Sequence, residues 1–261
     1  MNKEDKLKII LKSMKSAVLA LSGGLDSSYL ALITYRALGN NCLAITALSP
    51  STSKQEREDA KLIVQWIGIP HRFISSHEMN QEEYRNNNGF RCYYCKKEIL
   101  SILKNIAKIE DYHFIIDGSN CDDLKDVRPG RKAAEELGIR SPLLEAGFYK
   151  KDIRSYAKKN KLPLWNKPPS PCLASRIPQF SEITPEKLQQ IEAGESFIRS
   201  LGFTIFRLRH HGTIARLEFS LIELNLLLDN SIRKKIITTL KTLGFRYITI
   251  DLEGYRLSGL S

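Results

Sequence analysis

Residues 22–28 read Ser-Gly-Gly-Leu-Asp-Ser-Ser, after the apolar run 17–21 and before the helical pattern that begins at Tyr29. Two adjacent glycines let a strand turn tightly into a helix, so that backbone N–H groups converge on one point, and such a point binds phosphate. Ser22, Gly23, Gly24, Ser27 and Ser28 are the candidate contacts, the serines adding hydroxyl donors. Asp26 is a poor direct partner for an anion and a better ligand for a magnesium ion that bridges phosphate oxygens. The spelling lacks the Gly-Lys-Ser/Thr ending of a Walker loop and is not the dinucleotide G-x-G-x-x-G. An ordinary Gly-Gly turn with serine caps is the plain alternative.

A second chemistry lies in the cysteines. Cys92 and Cys95 stand three apart in Arg91-Cys92-Tyr93-Tyr94-Cys95-Lys96, and Cys172 stands in Pro171-Cys172-Leu173-Ala174-Ser175-Arg176. Three thiolates leave a tetrahedral zinc short of one ligand, which Cys121 or one of the five histidines could give. A 4Fe-4S cluster, by contrast, can be held by three cysteines with one iron left open. Unrelated free thiols are the remaining reading. Cys42, at a strand start, and Cys121, beside two aspartates, read as incidental small thiols.

A third candidate comes from period-two alternation. It puts Phe206 and Leu208 on one face of a strand and Arg207 and Arg209 on the other; in the next strand Arg216 and Glu218 oppose Ala215, Leu217 and Phe219. A solvated outer face is one reading. A guanidinium cluster that grips phosphate or carboxylate with its planar forks is the other.

The elements that must position these groups follow from apolar periodicity. Strand-like runs at 17–21, 43–48, 72–74 and 114–117 alternate with helical patterns from 29, from the capping box Ser53-x-x-Glu56 through Trp66, and over 96–109. That alternation predicts an α/β fold, a parallel sheet flanked by helices, with ligands at the carboxyl ends of the strands, where Asn120, Asp122 and Asp123 also emerge. Five of the ten prolines fall between 163 and 178 and stop both helix and central strand. The expected domains are therefore 1–165, a Pro-rich linker 166–180 carrying Cys172, and a smaller α+β domain at 181–261. In the last, a helix opens at Thr184-Pro185 and runs to Ser200, strands follow at 203–209 and 214–219 about a His211-Gly212 turn, helical patterns cover 221–228 and 232–243, and a strand covers 247–252.

At 261 residues and 42 % hydrophobic the chain can bury a real core, and its formal charge of +11 favours anionic partners. No apolar run reaches the ~18 to 20 residues that span a bilayer, so no membrane is expected and the cytoplasm is the default location. Five cysteines argue against a disulfide framework.

The 22–28 loop resembles the PP-loop, S-G-G-x-D-S, of the ATP pyrophosphatases, which cut ATP between the α and β phosphates. The wider pattern is similar to the LarE family of ATP-dependent sulfur transferases. It comprises Arg207-Leu208-Arg209-His210-His211-Gly212 with Ala215-Arg216-Leu217-Glu218, the Cys172–Arg176 segment, Asp126-Val127-Arg128-Pro129-Gly130 and the tail Asp251-Leu252-Glu253-Gly254-Tyr255-Arg256. The resemblance implies an adenine nucleotide alpha hydrolase-like fold, ATP and Mg2+, and a small-molecule nucleotide substrate. That substrate is a pyridinium-3,5-dicarboxylate mononucleotide whose carboxylates are adenylylated and become thiocarboxylates. It implies that Asp122 and Arg128 serve ATP or AMP, that Lys96, Ser175, Arg176, Arg207 and Arg209 serve the substrate anion, and that Glu195 and Glu218 are polar or metal-binding groups. One branch of the family sacrifices the sulfur of the cysteine found here as Cys172; another adds a CxxC, here Cys92 and Cys95, for a 4Fe-4S cluster. This sequence resembles the second. A sulfur donor and a homo-oligomer are implied as well. A tRNA thiolation enzyme of the same superfamily is the alternative, disfavoured because no further cysteine pairs or RNA module are present, so nucleic acid is not expected; a nucleotide sensor without chemistry is a third reading.

Overall fold

In the strand Ala17–Ala20 successive side chains leave on opposite faces. Ala17 and Leu19 join one apolar core with Leu7, Leu30, Ile33, Leu143 and Ile153, while Val18 joins another with Leu43, Ile45, Leu103 and Ala107. A sheet buried on both faces needs helices on both, which parallel strands joined by crossover helices supply.

A computed structural model describes residues 1–124, 129–168 and 171–256. Two compact units divide the chain. The larger comprises Met1–Ser49, Lys54–Tyr84 and Gly89–Lys167; the smaller comprises Pro50–Ser53, Arg85–Asn88 and the chain from Pro168 onward. The first part of the chain runs α1 (Lys3–Ser13), β1 (Ala17–Ala20), α2 (Leu25–Leu38), β2 (Cys42–Leu48), α3 (Lys54–Ile67), β3 (His71–Ser75), α4 (Glu82–Arg85), α5 (Arg91–Ile109), β4 (Phe114–Ile116), α6 (Pro129–Glu136), α7 (Pro142–Glu145) and α8 (Lys150–Lys159). Its four strands are parallel in the order β3-β2-β1-β4, the expected α/β sheet. The carboxyl ends of the neighbouring strands β1 and β4 therefore open side by side, at residues 21–24 and 117–120.

One boundary departs from the expectation in a way that matters. Helix α5 begins at Arg91 rather than at 96, so Cys92 and Cys95 lie inside its first two turns. The polar run Arg91–Cys95 has no apolar periodicity to announce a helix. Its first turn closes on the carbonyl of Phe90, which accepts from the Tyr93 N–H at 2.8 Å and from the Tyr94 N–H at 3.3 Å.

The smaller unit holds α9 (Pro185–Ser200), β5 (Phe206–His211), β6 (Ile214–Phe219), α10 (Asn230–Thr242) and β7 (Tyr247–Ile250). Thr184 caps α9 and Pro185 opens it. Strands β5 and β6 are antiparallel, with Arg207 opposite Glu218 and Arg209 opposite Arg216, and β7 adds parallel to β6. The first of these strands starts at 206 rather than 203, because the N–H groups of Thr204 and Ile205 donate to the Glu223 carboxylate instead of to a ladder. The 221–228 stretch forms only a 3-10 helix, Glu223–Leu228. The Pro-rich segment is held down: Leu173 N–H donates to the Ser51 carbonyl at 3.0 Å, and the buried Asn87 amide donates to the carbonyls of Pro178 and Ser181 at 2.7 and 3.1 Å. No helix among the described residues is long and apolar enough to cross a membrane.

Candidate active site

The nucleotide loop is shaped by a glycine and stiffened by its own serines. Leu21 N–H closes the last ladder bond on Ile45 at 2.8 Å, and the chain then turns at Gly23 with φ +74°. A Cβ there would lie 3.0 Å from the Glu56 carbonyl oxygen and 3.1 Å from Ala60 N, both backbone atoms of α3, so sterics and conformation each demand glycine. Gly24 precedes α2 in an extended conformation and gives it no side-chain cap, which leaves the positive end of that helix for an anion. Ser27 Oγ donates to the Gly24 carbonyl at 3.1 Å and accepts from Ser22 N–H at 3.3 Å, and the two serine hydroxyls lie 3.1 Å apart. Ser28 is buried and its Oγ is unpartnered.

At the end of β4 the tract Asp117-Gly118-Ser119-Asn120 packs against this loop. A Cβ on Gly118 would stand 2.9 Å from Ser27 N, so here too the backbones approach as closely as glycine permits. Asn120, fully buried, donates Nδ2 to Asp26 Oδ2 at 3.0 Å. The half-buried Asp26 carboxylate is thereby aimed from two strand ends. Asp122 receives the Lys150 N–H at 2.8 Å and so also anchors the start of α8. Arg128 lies outside the described residues.

Lys96 pairs with the buried Asp117, Nζ to Oδ2 at 2.6 Å. Cys92, Cys95 and Lys96 are spaced i, i+3 and i+4 along α5 and so share one face. Since Lys96 reaches the end of β4, that face turns toward the end of the sheet that carries the loop. Cys92 is exposed and Cys95 partly so. Burial by itself would raise the Asp117 pKa, but the Lys96 ammonium and hydrogen bonds from Ser141 and Ser119 outweigh it and hold the carboxyl below its usual range. Cys42 is different: burial pushes its thiol up to about 12, and the S–H points at the Gly39 carbonyl. Cys121 is likewise raised by burial. Neither is a thiolate at neutral pH.

In the smaller unit the arginine face is buried, which overturns the solvated reading. Arg176 forks onto Glu195 at 2.9 and 3.2 Å; Arg209 forks onto Glu218 at 2.9 and 3.4 Å and donates to the Ser175 carbonyl at 2.8 Å. Arg216 adds a bond to Glu218 at 3.0 Å, and Glu195 also accepts from Leu208 N–H at 3.2 Å. Both carboxylates are thus neutralised by guanidinium. Arg207 is not so served. It is 1 % exposed, meets no carboxylate among the described residues, and leaves Nη1 without a partner. Burial, partly countered by Tyr255 and reinforced by the nearby charges of Arg176 and Arg209, lowers its pKa. A buried cation in this state needs an anion.

Residues 4–89 match the NAD synthase family. Over 257 residues the chain is 34 % identical to the pyridinium-3,5-bisthiocarboxylic acid mononucleotide synthase of Lactiplantibacillus plantarum, covering 97 % of this chain and 92 % of that protein. The chain belongs to the LarE family. It is 40 % identical over 260 residues to an uncharacterized protein of Synechocystis sp., covering all of this chain and 97 % of that protein, and 32 % identical over 243 residues to one of Methanocaldococcus jannaschii, covering 93 % and 91 %. As a LarE-family chain built on a PP-loop domain, it is an ATP-utilising, sulfur-transferring enzyme.

Within the larger unit of this LarE-family enzyme the structure brings together the loop residues 22–28, Asp122 and Lys96, with Cys92 and Cys95 on the Lys96 face. Within the smaller it brings together Cys172, Ser175, Arg176, Glu195, Arg207, Arg209 and Glu218. Among the described residues no three or more His, Cys, Asp or Glu side chains are grouped as metal ligands. Glu195 and Glu218 serve as partners of arginine. Sequence reasoning missed Asp117 and Tyr255. Asp117 had a signal, an acid directly after a buried apolar strand; Tyr255, which receives Arg207 Nη2 at 3.0 Å, had none in its spacing.

Proposed function

We propose that the enzyme adenylylates the carboxylates of pyridinium-3,5-dicarboxylate mononucleotide and converts them to thiocarboxylates. The observation that carries this reading is Arg207, a buried guanidinium that meets no carboxylate among the described residues, which suits a substrate anion that charge-assisted bonds can hold. The larger unit supplies the nucleotide loop, with Asp26 for Mg2+. A substrate carboxylate oxygen attacks the α-phosphorus of ATP and pyrophosphate leaves; a sulfur nucleophile then attacks the activated carbonyl carbon and AMP leaves with the oxygen. The loop lowers the first barrier by offering backbone donors where phosphate charge develops.

For the sulfur, we assign Cys92, Cys95 and Cys172 as ligands of one 4Fe-4S cluster. The donor set fits in kind: three thiols, two of them on one helix face and accessible. Such a cluster, when bound, supplies an open iron that can carry an extra sulfide. In a second reading Cys172, whose carbonyl is held by Ser175 and Arg176 without use of its thiol, gives up its own sulfur. A homo-oligomer and an external sulfur donor belong to the same proposal.

Anaerobically purified protein, incubated with ATP, Mg2+ and the dicarboxylate nucleotide, should release AMP and pyrophosphate and yield product in which sulfur replaces oxygen. Formation of ADP in place of AMP overturns the reading. Iron and sulfide analysis together with the mass of the chain after one turnover separates the two sulfur routes: bound iron and sulfide support the cluster, and loss of hydrogen sulfide from Cys172 supports the sacrificial one.

A further inference from the structure

Four consecutive residues after β4 contact both halves of the larger unit's chemistry. Asp117 accepts four bonds: Lys96 Nζ at 2.6 Å, Ser141 Oγ at 2.7 Å, Ser119 Oγ at 2.9 Å and Ser119 N–H at 3.1 Å. Gly118 abuts Ser27 N, and Asn120 holds the Asp26 carboxylate at 3.0 Å. So one end of the tract grips the helix that bears Cys92 and Cys95, and the other grips the turn that receives phosphate. Only 4 % of Asp117 is exposed, and a buried carboxylate with four donors is a fixed point rather than a floppy surface partner.

We propose that Asp117-Gly118-Ser119-Asn120 is a positioning element that sets the thiol-bearing face of α5 in register with the nucleotide loop, with the Asp117–Lys96 ion pair as its working part. The physical requirement is tight. A sulfur nucleophile must meet a carbonyl carbon that is itself fixed by its bond to the AMP phosphate, and a shift of about 1 Å between two such groups can cost on the order of 100-fold in rate. The first turn of α5 has no N-cap side-chain bond; Tyr93 ties it to Glu136 of α6 at 2.6 Å, and Lys96, one residue beyond Cys95, ties it to the end of β4. Adenylylation needs the loop, its ion and the bound substrate, whereas sulfur delivery needs the register of α5 as well. The element therefore acts on the second step and not the first. This inference rests on the proposed function for its activity readout but not for its structural one.

The test is Asp117→Asn, which keeps the side chain's shape and removes its charge. Adenylylation is read as substrate-dependent exchange of pyrophosphate into ATP, sulfur delivery as thiocarboxylate formed, and the tether as amide hydrogen exchange. Exchange of pyrophosphate should stay within about three-fold while thiocarboxylate formation drops about ten-fold or more. Amide exchange should quicken in residues 91–99 and stay unchanged in α2 and β4. An equal fall in both steps, or faster amide exchange spread across the unit, makes Asp117 a general structural residue and overturns the proposal, as does an unchanged 91–99 segment. If Asp117→Asn does not fold, Ser141→Ala removes one donor to the same carboxylate and should show the same split, smaller in size. A wild-type protein that exchanges pyrophosphate but makes no thiocarboxylate overturns the proposed function, and amide exchange still decides the tether.

Discussion

The Arg207 guanidinium lies over the ring of Tyr255, 4.7 Å from its centroid, and donates Nη2 to the Tyr255 hydroxyl at 3.0 Å. Tyr255 thus steadies a buried cation of the arginine face that meets no carboxylate among the described residues. Arg207→Ala should weaken substrate use by about 1.5 to 3 kcal/mol, seen as a raised KM for the nucleotide substrate. Tyr255→Phe, which keeps the ring and loses the hydroxyl that accepts from the guanidinium, should raise the same KM by less than Arg207→Ala does. ATP affinity, measured by calorimetry, should be unchanged in both; equal loss for ATP and substrate returns Arg207 to a structural role.

Gly23→Ala should damage the loop without touching its hydroxyls. The added Cβ meets two backbone atoms of α3 and must sit at φ +74°, a conformation that costs a side chain about 1 to 3 kcal/mol. The expected result is a lowered Tm together with loss of ATP binding. Wild-type ATP affinity in this variant would show that the turn is not the phosphate site.

Asp26→Asn keeps the bond from Asn120 possible and removes the charge that holds a cation. Pyrophosphate release should stop at ordinary Mg2+ concentrations while the circular dichroism spectrum and Tm stay close to wild type. Release at the wild-type rate would assign the magnesium ion elsewhere.

Cys42 gives a pH prediction. Its folded-state pKa of about 12 lies above the ordinary thiol value of 9.0, so the folded protein keeps the proton longer than the unfolded chain does. Its contribution to stability is full below pH 9.0 and is lost as pH rises toward about 12. Denaturant titrations of wild type and Cys42→Ala should therefore converge as pH climbs through this window. A difference that stays constant across this window would mean that the folded thiol titrates as it does in the unfolded chain. At neutral pH, alkylation should mark Cys92 first and Cys42 last.

Much of this was legible in the chain. The loop at 22–28 and the parallel sheet were readable because glycine, serine caps and apolar runs act locally; the order of the strands was not. The arginine face was not, since alternation reports which residues share a face and not what covers it; burial of Arg209 comes from Glu218 beside it in the sheet and from the Ser175 carbonyl, a partner 34 residues away. Helix α5 hid its first turn because Arg91–Cys95 carries chemistry in place of apolar spacing. Asp117 was invisible as a hub, for its partners at 96 and 141 come from two other segments and no spacing rule links them.

The carbonyl oxygen of Cys172 accepts from Ser175 N–H at 2.9 Å, Ser175 Oγ at 2.8 Å and Arg176 Nη1 at 3.0 Å. None of these bonds involves sulfur. Arg176 also reaches the Pro171 carbonyl, and its fork onto Glu195 anchors the whole turn to α9. The main chain at this cysteine is therefore secured without its thiol, and removing the sulfur, by mutation or by chemistry, would leave that scaffold standing. The same mount holds the main chain of residue 172 in one position whatever the state of its side chain.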